Sequence, residues 1–177
     1  MKNSILTIAF FVTTLTSSLQ LTAQEFKSLD KSPMDMAAFP SSYKISDKIV
    51  KVIYSRPQLK GRDLVKLAPP EKVWRTGANE AVEIIFYKDV IFGGKALKAG
   101  TYSLFTIPSL EGDWTVIINS ARNVWGSYYY KQGQDVIRVS GKTTKTEENI
   151  EAFSMMFDKD MTLKMGWGKT VISVSIK

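Results

Sequence analysis

The stretch VIFGGKALKAGTYSLFTIP, Val90 to Pro108, decides the fold class of this chain. Gly93-Gly94 sits between the short runs Val90–Phe92 and Lys95–Leu97, and a glycine pair there reads as a hairpin turn because both residues can take positive φ. Lys98-Ala99-Gly100 supplies the next turn. Thr101 to Ile107 then alternates Tyr102, Leu104 and Thr106 against Ser103, Phe105 and Ile107. Both faces carry apolar groups, so the strand belongs in the middle of a sheet, and it stops at Pro108, which lacks a ladder N–H.

The same pattern extends in both directions. Upstream, Ile49–Tyr54 is rich in β-branched residues and ends at Arg56-Pro57, and Ala81–Tyr87 alternates around Val82, Ile84 and Phe86. Downstream come Trp114–Ile118, Asp135–Ser140, Ile150–Phe157, Met161–Trp167 and Val171–Ile176. No run of ten or more residues has helical periodicity, although Leu59–Leu67 or Pro70–Trp74 has room for one helical turn. About nine strands at spacings of roughly 8 to 12 residues predict an all-β fold: a single antiparallel β-sandwich or jelly-roll-like domain over 43–177.

Ahead of the domain, Met1-Lys2-Asn3, the apolar run Ile5–Val12 and Leu21-Thr22-Ala23 have the plan of a secretory signal peptide, residues 1–23, cleaved near Ala23. Its apolar core falls short of the roughly 20 residues that span a bilayer, so no transmembrane anchor is expected in the mature chain. Export to the periplasm or the extracellular space follows. Residues 24–42, with Pro33 and Pro40 and little periodicity, read as an N-terminal arm.

Composition narrows the chemistry. The 177 residues include no cysteine and no histidine. Disulfides, thiol nucleophiles, Ser-His-Asp triads and zinc sites of the Cys/His kind are thereby excluded, and no cofactor or metal is expected. The formal charge of +7 favours anionic partners, but lysine spread along the chain gives no basic stripe, so nucleic acid is not an expected partner. The oligomeric state is not legible.

Three of the five arginines, Arg56, Arg62 and Arg75, fall between Tyr54 and Ala81. From Lys51 to Arg75 there are seven basic residues against two acidic ones, and arginine forks onto carboxylate or phosphate. Such a loop can clamp an anion; it can equally tie itself down through backbone carbonyls and nearby carboxylates. Trp74-Arg75-Thr76-Gly77-Ala78-Asn79-Glu80 is the densest polar and aromatic group, with Asn79 able to donate and accept and Glu80 the candidate general base. Trp125-Gly126-Ser127-Tyr128-Tyr129-Tyr130 offers a second aromatic platform, or alternate rings that pack inward. Asp158-Lys159-Asp160 lacks the remaining ligands of a calcium loop and reads as a hairpin turn, and Gly93-Gly94-Lys95 lacks the spacing of a phosphate loop.

The order of the strings YSRP (Tyr54–Pro57), KGR (Lys60–Arg62), KVWRTGANEA (Lys72–Ala81), Gly93-Gly94, Leu97–Pro108, Trp114–Asn119 and Trp125–Tyr128 resembles the bacterial domain of unknown function 2911 family. The resemblance implies export and one β-rich domain, with no established activity, cofactor or catalytic residue. Leu67-Ala68-Pro69-Pro70-Glu71 departs from the family's more usual pattern, something like LVPYGKVWR, and leaves the shape of that loop open.

The leading functional expectation is a non-enzymatic module that binds an anionic or polyhydroxylated small molecule or glycan through Arg56, Arg62, Trp74, Arg75 and Asn79, with Trp125 and Tyr128. One alternative is a cofactor-free carbohydrate hydrolase or lyase using Glu80 with a second carboxylate, Asp63 or Asp135. Another is a cell-envelope protein-interaction module, for which an exposed apolar patch or free strand edge would speak.

Overall fold

The β-branched and aromatic runs become nine strands in the computed structural model, which describes residues 26–177. The expected leader, residues 1–23, lies outside the described residues. The strands are β1 (Met34–Phe39), β2 (Val50–Ser55), β3 (Val82–Phe86), β4 (Val90–Phe92), β5 (Lys95–Leu97), β6 (Gly100–Ile107), β7 (Trp114–Asn119), β8 (Asp135–Phe157) and β9 (Leu163–Val174). The one α-helical turn, α1 (Leu64–Leu67), falls within the first of the two places the sequence left open for it.

All ladders are antiparallel, and seven strands form one sheet in the order β1-β2-β3-β6-β7-β8-β9. The architecture is all-β and sandwich-like, with this sheet curled into a half-barrel around one core. Strand β6 is fourth of seven, the position its two apolar faces require, and Leu104 and Phe105 on opposite faces are both fully buried. Strands β4 and β5 form the glycine hairpin, with Phe92 opposite Lys95 and φ of 56° at Gly93 and 86° at Gly94.

Three element boundaries differ from the sequence reading, one of them at β9, where the expected Met161–Trp167 and Val171–Ile176 are a single strand, Leu163–Val174. Met34–Phe39, inside the expected arm, pairs with β2 as the first strand of the sheet. Asp135–Ser140 and Ile150–Phe157 are parts of one 23-residue strand, whose register shifts between Lys145 and Ile150 and again before Ser154. Its first part, to Gly141, pairs with β7, and its remainder, from Lys142, pairs with β9, the irregularities falling within the second part.

Side chains close the curl where a main-chain ladder runs out. Phe153 N–H bonds Pro57 O at 2.9 Å and Leu59 N–H bonds Glu151 O at 3.0 Å. Beyond them the Tyr54 hydroxyl accepts from Met155 N–H at 2.9 Å and lies 3.3 Å from Met155 O. Inside, the Trp74 ring stacks on Trp167 with centroids 5.4 Å apart and meets Trp114 and Phe153 edge-on. These rings, with Leu59 and Ala68, join the connection between β2 and β3 to the core.

Candidate functional site

The three arginines of the β2–β3 connection go to separate tasks. Arg56 donates to Phe153 O at 3.1 Å, Asp35 Oδ2 at 3.1 Å and Ser154 Oγ at 2.7 Å, which ties β1 to β8. Arg62 folds back on its own loop, bonding Leu59 O at 2.9 Å and Gln58 O at 2.7 Å. Arg75 has a buried Nε with no partner among the described residues. None of the three lines the clefts described below. Trp74, 5% exposed, is a core residue, because its neighbour Thr106 pairs with it in a short ladder that points the indole inward.

The other half of the segment does reach a surface. Thr76 and Asn79 take the left-handed conformation, φ 60° and 61°, and Thr76 is held there by hydrogen bonds to Trp74 O and Thr106 Oγ1. For a β-branched residue that conformation is strained, and it survives only where the surroundings impose it. The resulting turn sends Asn79–Ala81 alongside Val124–Gly126. Ala81 N–H bonds Val124 O at 3.0 Å and Gly126 N–H bonds Asn79 O at 2.9 Å, with Glu80 directly opposite Trp125. Hydrogen bonds on the flanking residues make this the close, non-hydrogen-bonded kind of pair, whose two side chains sit together on one face. Asn79 also donates to Asp30 Oδ1 at 3.2 Å.

Next to this pair a groove of about 280 Å³ runs over the outer face of β2, β3 and β6, lined among others by Ser55, Glu80, Glu83, Ser103 and Asn123. Glu83 stands between Ile53 of β2 and Ser103 of β6 in the ladder. It is the only charged residue among the outward positions Ala81, Glu83, Ile85 and Tyr87, a signal the sequence held and the reading passed over. Ser55 is 4% exposed, and its hydroxyl has no hydrogen-bond partner among the described residues. Trp125 is 54% exposed, and Tyr128 and Tyr129 nearby in the chain are more exposed still.

The loop 120–134 that carries these aromatics is fixed from beneath by a polar network. Asn119, fully buried, donates to Lys131 O and to Asp135 Oδ1 and accepts from Ala121 N–H. Tyr130 donates to Asp135 Oδ2 at 2.7 Å and accepts from Arg138 at 2.7 Å. Burial first, then the bond to Asp135, pushes the Tyr130 phenol above its ordinary value. The Asp135 bond likewise holds Arg138 more firmly protonated.

Asp135 is therefore occupied inside this network, and Asp63 lies exposed by Lys66 on the α1 turn. Neither lines the groove of Glu80, where the second carboxylate is Glu83. Asp158 caps the β8–β9 turn through Asp160 N–H and Thr162 N–H, the hairpin role expected of it. Among the described residues no cluster of three metal-ligating side chains occurs. A second cleft, about 240 Å³, opens between α1 and residues 108–113, but its charged residues are already engaged: Asp113 by Ser140 and Thr143, Lys145 by Thr170.

A family model described as a protein of unknown function (DUF2911) matches residues 32–176. The chain belongs to this family. The match takes in all nine strands, the seam and the groove, so the family unit is this whole curled sheet with its β2–β3 connection. No curated protein and no solved structure matches the chain. Within the DUF2911 region, the YSRP string supplies the seam residues Tyr54 and Arg56, and KVWRTGANEA supplies the core indole and the strained turn that presents Glu80.

Proposed function

We propose that this DUF2911 chain is an exported, non-enzymatic binding module that holds a polyhydroxylated ligand, a sugar or glycan segment, in the groove beside Trp125. Export rests on the leader pattern of residues 1–23. The observation that carries the ligand class is Ser55: its hydroxyl lines the groove and makes no hydrogen bond to another described residue, which is complementary to a ligand that brings its own hydroxyls. Ser103 and Asn123 add polar atoms at the groove, and Trp125 offers an exposed ring of the kind that stacks on a sugar face. Two carboxylates and no basic residue line the groove, which favours the polyhydroxylated reading over the anionic one.

The test is thermal denaturation across a panel of neutral and charged oligosaccharides, with Trp125→Ala and Ser55→Ala beside the wild type. A ligand at about 100 times its Kd stabilises by roughly 2.7 kcal/mol, a shift easily read. The expected result is a shift with at least one sugar that both variants reduce; no shift with any sugar removes the reading. A hydrolytic alternative has one observation behind it, the presence of Glu80 and Glu83 in the same groove. Release of reducing ends from the bound oligosaccharide, abolished by Glu80→Gln, would favour it.

A further inference from the structure

Resting on the sugar reading of this groove, we infer that the ligand carries a protonated amine and that Glu80 and Glu83 receive it: the ligand class is an amino sugar or a glycan with free amines. The chain has an excess of basic residues, 24 against 17 acidic. Six aspartates, Asp35, Asp47, Asp63, Asp89, Asp135 and Asp158, are ion-paired within the chain. Glu80 and Glu83 make no ion pair and no hydrogen bond among the described residues, although they line one groove.

The nearest cation on that face, Lys51, stands diagonally from Glu83 opposite Ile85 and lies over the Tyr87 ring instead. The cross-strand neighbours of Glu83 are Ile53 and Ser103, and Glu83 itself is partly buried between them. Two carboxylates lining one groove with no basic residue beside them leave it negative, and a cation supplies the missing countercharge. An anionic ligand would add to the negative charge. A neutral one would displace water from the carboxylates without supplying a countercharge.

Trp125 points to the same ligand independently. Its position opposite Glu80 puts an exposed indole on the same face as a carboxylate, and an indole attracts ammonium groups through its ring quadrupole. The unpartnered Ser55 hydroxyl then distinguishes an amino sugar from a simple amine, since it calls for a hydroxyl beside the cation.

The experiment is calorimetric titration of the purified protein with four probes: chitosan tetramer, its fully N-acetylated counterpart, cellotetraose and spermine. The first three share a pyranose backbone and differ in carrying an amine, an acetamide or a hydroxyl. Chitosan tetramer is expected to bind about tenfold more tightly than the two neutral oligomers, the scale of one good charge-assisted contact. The preference should shrink as salt is raised and should disappear in Glu83→Gln and weaken in Glu80→Gln, each checked for an unchanged melting temperature.

Equal binding of the three oligomers overturns the amine inference and leaves the sugar reading standing. Spermine binding as tightly as chitosan tetramer, with no binding of cellotetraose, keeps the cation site and overturns the sugar reading. Silence with all four probes overturns both. A chitosan preference untouched in both Glu variants removes the assignment to this groove.

Discussion

Tyr54 and Arg56 lie two residues apart at the end of β2, and both reach across to β8. Tyr54→Phe would leave the Met155 N–H buried without its 2.9 Å partner, a loss expected to cost about 1–3 kcal/mol in urea unfolding with an unchanged m-value. Arg56→Ala removes three bonds from a side chain about one-third exposed, where water takes over part of the role, so about 1 kcal/mol is expected. Tyr54 also predicts a pH effect. Burial, against the opposing pull of the Met155 amide, raises its phenol above the ordinary 10.0. The folded state then holds that proton more tightly than the unfolded chain. The contribution is complete below pH about 10 and is lost as pH rises through the raised value. In melting curves taken at rising alkaline pH, Tyr54→Phe should show a shallower decline than wild type, with a remaining slope from Tyr130, whose phenol is also raised.

At the scale of elements, the short pairing of residues 79–81 with 124–126 sets which tryptophan meets solvent. Trp74, Trp114 and Trp167 are buried and Trp125 is not, so acrylamide should quench one emission component, and Trp125→Phe should remove most of that component. Persistent quenching in the variant would mean the core indoles are accessible. The interior strands were legible because alternation and turn residues agree there, as in the Gly93-Gly94 hairpin and β6 with its two apolar faces. Strand β1 was not, since Met34-Asp35-Met36-Ala37-Ala38-Phe39 lacks β-branched residues and lies between Pro33 and Pro40. Strand β8 looked like two because Thr146-Glu147-Glu148-Asn149 breaks the apolar pattern where the register shifts. For the site, Glu80 and Trp125 were each visible as types, but their pairing depends on the left-handed Thr76 and Asn79. Of the two courses the arginine-rich connection left open, Arg56 and Arg62 take the second, satisfying backbone carbonyls of β8 and of their own loop.

For the whole molecule, the curled sheet leaves one flank to be covered by the β4–β5 hairpin, which belongs to no other sheet. The hairpin is held from two directions. Gly93 approaches β8 so closely that a Cβ there would stand 2.8 Å from Val139, and the segment after β9 pairs with β4 through Ile91 N–H to Lys177 O at 2.6 Å and Lys177 N–H to Ile91 O at 3.0 Å. Ile176, 1% exposed and opposite Phe92, is the side chain that joins this pairing to the core. Ile176→Ala is therefore expected to destabilise the whole domain by about 2–5 kcal/mol, the range for a large-to-small change in a packed core. Gly93→Ala adds a methyl where Val139 already sits and where φ is positive, so it should also destabilise, and the two changes act on one hairpin. In a double-mutant cycle followed by urea unfolding, their combined effect should fall short of the sum, because once either anchor is lost the other holds a hairpin already displaced. Strict additivity would show that the two anchors act on separate parts of the fold.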